Sequence, residues 1–207
     1  MARFEAEILP VQAQAQATAG LRIGLLGGSF NPAHEAHRHI SLIALRRLRL
    51  DGVWWLVSPQ NPLKSPAGMA PLALRLERAR ETANHPRIHV SAVELALKTR
   101  FTVDTVRALR ATFAQARFVW LMGGDSLSSF HLWRCWRGIA STLPIGVIAR
   151  PEFTMRALCS PAARHLGESR IFDPANLAGC KPPAWVFIQE ALDPASGTHL
   201  RNSGLWP

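Results

Sequence analysis

The chain has 207 residues, enough for one substantial hydrophobic core and too few for two comfortable domains. Its hydrophobic fraction of 48% and charged fraction of 18% are ordinary for a globular protein and exclude wholesale disorder. No apolar run is long enough to cross a bilayer, so we expect no membrane partner.

The formal net charge of +10 comes from 24 lysines and arginines against 14 acidic residues. Such an excess favours anionic partners, either nucleic acid or small phosphorylated ligands. No nucleic-acid-binding motif accompanies the charge, so we expect no nucleic-acid partner. We interpret most of the excess as a solvated basic surface made by arginines on several predicted helices, namely Arg46, Arg47, Arg49, Arg75, Arg78, Arg80, Arg107 and Arg110.

Two features predict a cytoplasmic protein. Cys135, Cys159 and Cys180 are odd in number and widely spaced, which argues against a disulfide framework or a zinc site. Residues 1–20 lack the basic start, apolar middle and cleavage site of a secretory signal. We interpret them as a flexible extension in front of a single domain of residues 21–207.

From Leu21 onward, short apolar runs alternate with helical patterns. The predicted strands are residues 21–26, 53–58, 88–93, 118–122, 144–149 and 185–188. The predicted helices are residues 34–48, 71–83, 102–113, 126–139 and 155–166, with irregular connections at 59–69 and 173–183. Continuous apolar strands that alternate with helices are typical of an α/β fold with a doubly wound, mostly parallel sheet. Ligands of such sheets bind at the carboxyl ends of the strands, where the strand order reverses.

The first strand ends in a segment suited to phosphate. Gly27 and Gly28 are followed by an Asn-Pro turn and then by an amphipathic helix. Glycines allow the backbone to approach a ligand closely, and a helix N-terminus offers free N–H groups. His34 and His37 are three residues apart and therefore share one face of that helix. The alternative is a tight turn followed by two solvent-exposed histidines.

The run from Gly27 to His37 resembles the GGSFNPxHxxH signature of the HxGH nucleotidyltransferase superfamily, and within it the bacterial nicotinate-nucleotide adenylyltransferases. Ala36 stands where the superfamily has glycine. The resemblance implies that both histidines contact the ATP phosphates. It further implies an ATP site made of Gly27, Gly28, Ser29, Phe30, His34, His37, Gly123, Asp125, Ser196, Thr198 and Arg201.

Later segments match the same family in the same order. They are Ser-Pro-Gln-Asn-Pro-Leu-Lys at 58–64, Thr-Val-Asp-Thr at 102–105, Gly-Gly-Asp-Ser at 123–126, Phe-His-Leu-Trp-Arg at 130–134 and Ser-Gly-Thr-His-Leu-Arg at 196–201. By resemblance, an aromatic ring stacks on the pyridine ring of the acceptor, and the acceptor site consists of Asn61, Lys64, Thr102, Asp125, Trp133 and Arg134. Each segment also has a plainer interpretation, because Thr102 and Asp125 are natural helix caps, Lys64 suits a solvated loop, and Trp133 suits a core.

The implied reaction is attack by the 5′-phosphate of nicotinate mononucleotide on the α-phosphorus of ATP, with pyrophosphate leaving. The resemblance assigns catalysis to His34, His37, Lys64 and Arg201, with Mg²⁺ bound to the ATP phosphates and no metal site made by the protein alone. It leaves room for a homo-oligomer. Two alternatives remain open: a superfamily relative that uses nicotinamide mononucleotide or pantetheine phosphate, and a non-catalytic basic protein that binds nucleic acid.

Overall fold

The computed structural model describes residues 18–59, 68–149 and 154–189, and within these residues six strands form one sheet. Their order is β3-β2-β1-β4-β5-β6 and every pair of neighbours is parallel. This arrangement confirms the predicted fold class. The strands are β1 (Arg22–Gly28), β2 (Gly52–Val57), β3 (Ile88–Ser91), β4 (Arg117–Gly123), β5 (Ile145–Ala149) and β6 (Trp185–Gln189).

Helices cover both faces of this sheet, which is why its strands are apolar on both sides. Trp55 and Val57 of β2 pack in one hydrophobic cluster, whereas Leu56 between them packs in the other. The helices are α1 (Glu35–Arg47), α2 (Leu72–Ala83), α3 (Val93–Ala96), α4 (Thr102–Thr112), α5 (Gly124–Ser129), α6 (Trp136–Ala140), α7 (Thr154–Leu158) and α8 (Pro161–His165). Helices α1 and α2 belong to the first cluster, and α4 and α6 belong to the second.

The prediction of one continuous helix at residues 126–139 is wrong, because the helix is interrupted between α5 and α6. Residues Phe130–Leu132 form a 3-10 turn, Trp133 is extended, and Cys135 takes a left-handed φ of 49°. Phe130 and Trp136 are both buried, with ring centroids 5.7 Å apart. Residues six apart are separated by about 120° around a continuous helix, and the interruption brings these two rings into contact.

The predicted helix at residues 155–166 is likewise two short helices. The Ser160 hydroxyl accepts a hydrogen bond from the Ala163 N–H at 3.2 Å, and Pro161 is the first residue of α8. A capping serine followed by proline starts a new helix, because proline has no N–H to continue the preceding one. The connection at 173–183 contains a 3-10 segment, Pro174–Gly179, and β3 ends at Ser91, two residues before the predicted end.

Residues 18–20 already contact the domain. Thr18 is buried, and the Gly20 N–H donates a hydrogen bond to the Gln115 carbonyl at 3.0 Å. The remainder of the proposed extension, residues 1–17, and most of the proposed loop, residues 60–67, lie outside the described residues. Among the described helices, none is long and apolar enough to span a membrane.

Candidate functional site

The site lies at the carboxyl ends of β1, β2 and β4, where the strand order reverses. β2 lies on one side of β1 and β4 on the other, so Leu25 faces Trp54 in one neighbour and Trp120 in the other. Gly27 and Gly28 are the last two residues of β1 and open the glycine turn, residues 27–30, and Gly123 ends β4. A doubly wound sheet opens its ligand crevice at such a position, and the topology therefore brings the two proposed glycine segments together.

The packing of this chain's own rings leaves no room for a side chain at Gly27 and little room at Gly28. A Cβ at Gly27 would lie 2.6 Å from Cη2 of Trp120, and a Cβ at Gly28 would lie 3.3 Å from Cε2 of Phe30. The first distance is shorter than real Cβ contacts, so any side chain at residue 27 must displace the indole. The sequence predicted close approach to a ligand as the reason for these glycines, and internal packing is a further reason.

Phe30 is buried with a left-handed φ of 46°. Its ring is stacked on that of Trp55 at a centroid distance of 5.0 Å and lies 4.7 Å from the ring of His37, and the Trp55 and His37 rings are themselves 5.9 Å apart. The left-handed backbone costs energy for a bulky residue, and the two ring contacts hold it in place. The Phe30 ring therefore packs against the ring of a proposed catalytic histidine.

His34 and His37 form a pair at the start of α1, as their spacing predicts. Their ring centroids are 3.9 Å apart, and His34 is the N-cap residue, with 7% of its surface exposed. The His34 N–H donates to Nδ1 of His37 at 3.3 Å, and the His37 N–H donates to the His34 carbonyl at 2.9 Å. Because Nδ1 of His37 accepts a hydrogen bond, its ring proton resides on Nε2, which makes Nε2 a donor.

Hydrogen bonds that involve Ser41 and Trp55 also hold the main chain of His37 in place. The Ser41 hydroxyl donates to the His37 carbonyl at 2.8 Å, and the indole N–H of Trp55 donates to the same hydroxyl at 2.8 Å. The N-terminus of α1 adds the positive end of a 13-residue helix dipole. An imidazole N–H and a helix N-terminus together suit an anionic group.

The proposed ribose ligand, Asp125, lies in the first turn of α5, and its carboxylate is close to Gly123. The N-cap of α5 is Gly123, and no side chain caps the helix. The capping interpretation of Asp125 is therefore wrong. An added Cβ at Gly123 would meet Oδ1 of Asp125, so a side chain there would displace the carboxylate.

One proposed acceptor residue, Arg134, packs at the start of α4, where Thr102 lies. Phe101 is the N-cap of α4 and no side chain caps the helix, so the capping interpretation of Thr102 is wrong. The Arg134 guanidinium lies 4.3 Å above the Phe101 ring, and that of Arg100 lies 5.8 Å from the same centroid. Trp133 is half-buried, whereas Trp136 is a core residue.

Trp133 connects the acceptor side to the glycine turn. Its ring packs edge-on against Phe130 at 5.4 Å and against Trp120 at 6.3 Å. Trp120 is the residue whose indole fills the space above Gly27. A single aromatic side chain therefore separates the proposed pyridine-stacking residue from the proposed phosphate turn.

Sequence reasoning missed two buried charged residues near this edge. Arg75 was expected on a solvated face, but it is almost fully buried and its guanidinium donates to main-chain carbonyls. Glu94 is also buried, and it accepts hydrogen bonds from Thr105 at 3.1 Å and from Ser58. Burial raises the pKa of Glu94 above its ordinary value. No local sequence signal distinguishes either residue from a surface charge.

The remaining predicted residues, Asn61, Lys64, Ser196, Thr198 and Arg201, lie outside the described residues. Within the described part of the chain, no group of three or more His, Cys, Asp or Glu residues is placed to hold a metal ion. The described donors at this edge are imidazole, guanidinium and main-chain N–H groups, and these suit phosphate better than a hard cation.

Comparison with known proteins identifies the family. Residues 25–203 match the cytidylyltransferase-like family model. A relative from Cereibacter sphaeroides (strain ATCC 17025 / ATH 2.4.3), named "Probable nicotinate-nucleotide adenylyltransferase", is 52% identical over 89% of this chain and 98% of its own length. A relative of the same name from Bradyrhizobium sp. (strain ORS 278) is 50% identical over 90% of this chain and 98% of its own length.

The fold also matches a solved structure of Plasmodium falciparum nicotinic acid mononucleotide adenylyltransferase complexed with NaAD. The TM-score is 0.66 with 15% identity, over 88% of this chain and 83% of the other. At this identity the likeness concerns the fold alone, and it agrees with the parallel sheet and its central crevice. Sequence and fold lead to the same assignment: this chain is a member of the cytidylyltransferase-like family of nucleotidyltransferases.

Proposed function

We propose that the protein transfers the adenylyl group of ATP to nicotinate mononucleotide and releases pyrophosphate, which makes it a nucleotidyltransferase of NAD biosynthesis. The single observation that carries the proposal is the histidine pair at the N-terminus of α1, located where the strand order reverses. The names of relatives about 50% identical to this chain support nicotinate mononucleotide as the acceptor.

In the proposed reaction, a phosphate oxygen of the acceptor attacks the α-phosphorus of ATP in line. The new P–O bond forms as the bond to the β-phosphate oxygen breaks, and that electron pair leaves with pyrophosphate. The nucleophile is already an anion at neutral pH, so no general base is required. Catalysis then consists of positioning the two substrates and stabilising the charge on the transferring phosphoryl group.

The described residues account for part of that stabilisation. Nε2 of His37 donates toward the α-phosphate, His34 lies beside it, and the free N–H groups of α1 face the same charge. Lys64 and Arg201 are proposed, by family resemblance, to neutralise the phosphates, with Ser196 and Thr198 as further ligands. Magnesium is proposed to arrive bound to ATP, where it neutralises phosphate charge.

On the acceptor side, Trp133 is proposed to stack on the pyridine ring and Asp125 to bind a ribose hydroxyl. The first turn of α4 at Thr102 and the loop residue Asn61 complete this side. The Arg134 and Arg100 guanidinium groups lie over Phe101, next to Thr102, and positive charge there would favour a carboxylate over a carboxamide. We propose a cytoplasmic location, consistent with Cys135 and Cys159 being free and exposed.

The test is pyrophosphate release from MgATP with separate additions of nicotinate mononucleotide, nicotinamide mononucleotide and pantetheine phosphate. We expect release only with an acceptor present, and a preference of about 10²-fold or more in kcat/KM for nicotinate over nicotinamide mononucleotide. Equal efficiency with the two would assign the protein to a dual-specificity branch. ATP binding without turnover with any acceptor would indicate a protein that binds ATP without catalysing the transfer.

A variant of His37 tests the role of the histidine pair directly. Glutamine at the third helical position can accept the His34 N–H, as in a capping box, so His37→Gln keeps the helix start while removing the imidazole. We expect kcat to fall about 10²–10³-fold with little change in Tm. The matched control is His39→Gln on the same helix, for which we expect near-normal turnover. Near-normal turnover of folded His37→Gln would remove His37 from the mechanism.

A further inference from the structure

Arg75 of α2 is a buried cation whose partners are main-chain carbonyls. Its exposed fraction is 1%, and its guanidinium makes four hydrogen bonds. Nε donates to Ala70 at 2.9 Å, Nη1 donates to Ser29 at 2.6 Å and to Ser58 at 2.7 Å, and Nη2 donates to Pro59 at 2.9 Å. Burial lowers the pKa of Arg75, and no carboxylate pairs with it among the described residues.

These four carbonyls belong to separate parts of the proposed site. Ser29 lies in the glycine turn on the ATP side, whereas Ser58 and Pro59 begin the loop that follows β2 on the acceptor side. Ala70 lies at the far end of that loop, just before α2. Carbonyls of irregular segments have no sheet partners, and a guanidinium is the side chain that can satisfy several of them at once.

Asn31 joins the same two segments. Its Nδ2 donates to the Gly68 carbonyl at 2.9 Å, and its Oδ1 accepts from the Ala70 N–H at 3.1 Å. The Gly68–Ala70 end of the loop is therefore hydrogen-bonded directly to the turn that leads to the histidine pair, and the Pro59 end is joined to that turn through Arg75. Burying a cation without an anion costs free energy, so packing alone is a poor explanation for arginine at this position.

We propose that Arg75 is a positioning residue of the transfer reaction: by holding the glycine turn and the loop after β2 through one guanidinium, it sets the two substrates in line with each other. The proposal rests on the proposed function. In-line transfer is sensitive to displacements of about 1 Å, so loosening this connection lowers turnover even when each substrate still binds.

The test uses Arg75→Lys, which keeps the charge but cannot reach four carbonyls with the planar fork, and Arg75→Met, which removes the charge. The matched control is Arg78→Lys on the same helix, because the Arg78 side chain is 55% exposed and forms a surface ion pair with Glu81. For Arg75→Lys we expect kcat to fall about 10–100-fold, while the Kd of ATP alone changes less than about threefold. We expect Arg78→Lys to behave as wild type.

A second measurement keeps the proposal falsifiable if Arg75→Met does not fold. It compares the Kd of nicotinate mononucleotide with and without a non-hydrolysable ATP analogue, by calorimetry. We expect wild type to bind the acceptor at least about fivefold more tightly with the analogue, and Arg75→Lys to lose this coupling. A merely structural Arg75 would lower Tm and leave both kcat and the coupling intact, which would overturn the proposal. Absence of wild-type turnover with every acceptor would refute the proposed function instead, and the calorimetric coupling would still decide the role of Arg75.

Discussion

Gly27→Ala should destabilise the unliganded protein, because the space for its methyl group is already filled. The new Cβ would lie 2.6 Å from Cη2 and 3.0 Å from Cζ2 of Trp120. Trp120 is buried on the central strand β4, so the indole cannot turn aside into solvent. Overpacking of this kind costs about 1–3 kcal/mol. For a domain of this size, that corresponds to a fall in Tm of about 2–12 °C.

The assay is thermal unfolding of the unliganded protein, with Gly167→Ala as the matched control. A Cβ at Gly167 would meet nothing within 4 Å, so the control should be neutral or slightly stabilised through its unfolded state. We also expect Gly27→Ala to raise the KM of the acceptor, because Trp120 contacts Trp133. If Gly27 serves only to admit a ligand, Gly27→Ala will melt with the control and only the KM of ATP will rise. That result would refute the packing argument.

Three further predictions follow from the site. Burial raises the folded-state pKa of Glu94, so its contribution to stability is present below the ordinary carboxyl pKa and is lost as pH rises through the folded value. In thermal unfolding measured across pH, Glu94→Gln should therefore gain stability relative to wild type from acid toward neutral pH. A difference in Tm that stays constant with pH would contradict this. Ser41→Ala leaves the buried Trp55 indole N–H without its acceptor and should cost about 1–3 kcal/mol in chemical denaturation, whereas a loss below about 0.5 kcal/mol would count against that hydrogen bond. Trp133→Ala should raise the KM of the acceptor far more than that of ATP in steady-state kinetics, and an unchanged KM would move the stacking role to another aromatic residue.

The parts of the fold that follow from local pattern could be predicted from the sequence. Continuous apolar runs separated by helical periods predicted the parallel sheet, and the short spacing between His34 and His37 predicted their pairing. The break before Cys135 could not be predicted, because nothing in its neighbours requires a left-handed residue. Its effect is to bring the buried rings of Phe130 and Trp136 into contact, which depends on tertiary packing.

Long-range partners account for the other differences. Arg75 resembles any helical arginine until the four carbonyls that surround it are known, and three of these are 16 to 46 residues away in sequence. The packing requirement at Gly27 depends on Trp120 of a neighbouring strand, and the register that places them together is a tertiary property. Sequence motifs therefore predicted which residues could contact the substrates. The residues that pack against them could be identified only from the structure.

The strand order also constrains how the protein is made. β1 pairs with β4 through contacts such as Ile23 with Phe118, so the first strand lacks one neighbour until most of the chain exists. At ordinary translation speeds, the ribosome needs roughly 5–20 s to synthesise the intervening hundred or so residues. During that time, the apolar strand β1, which the histidine pair follows in sequence, has no β4 to pair with. A fold rich in contacts between residues distant in sequence folds slowly. We therefore expect the nascent chain to form its nucleotide crevice only after β4 has left the exit tunnel.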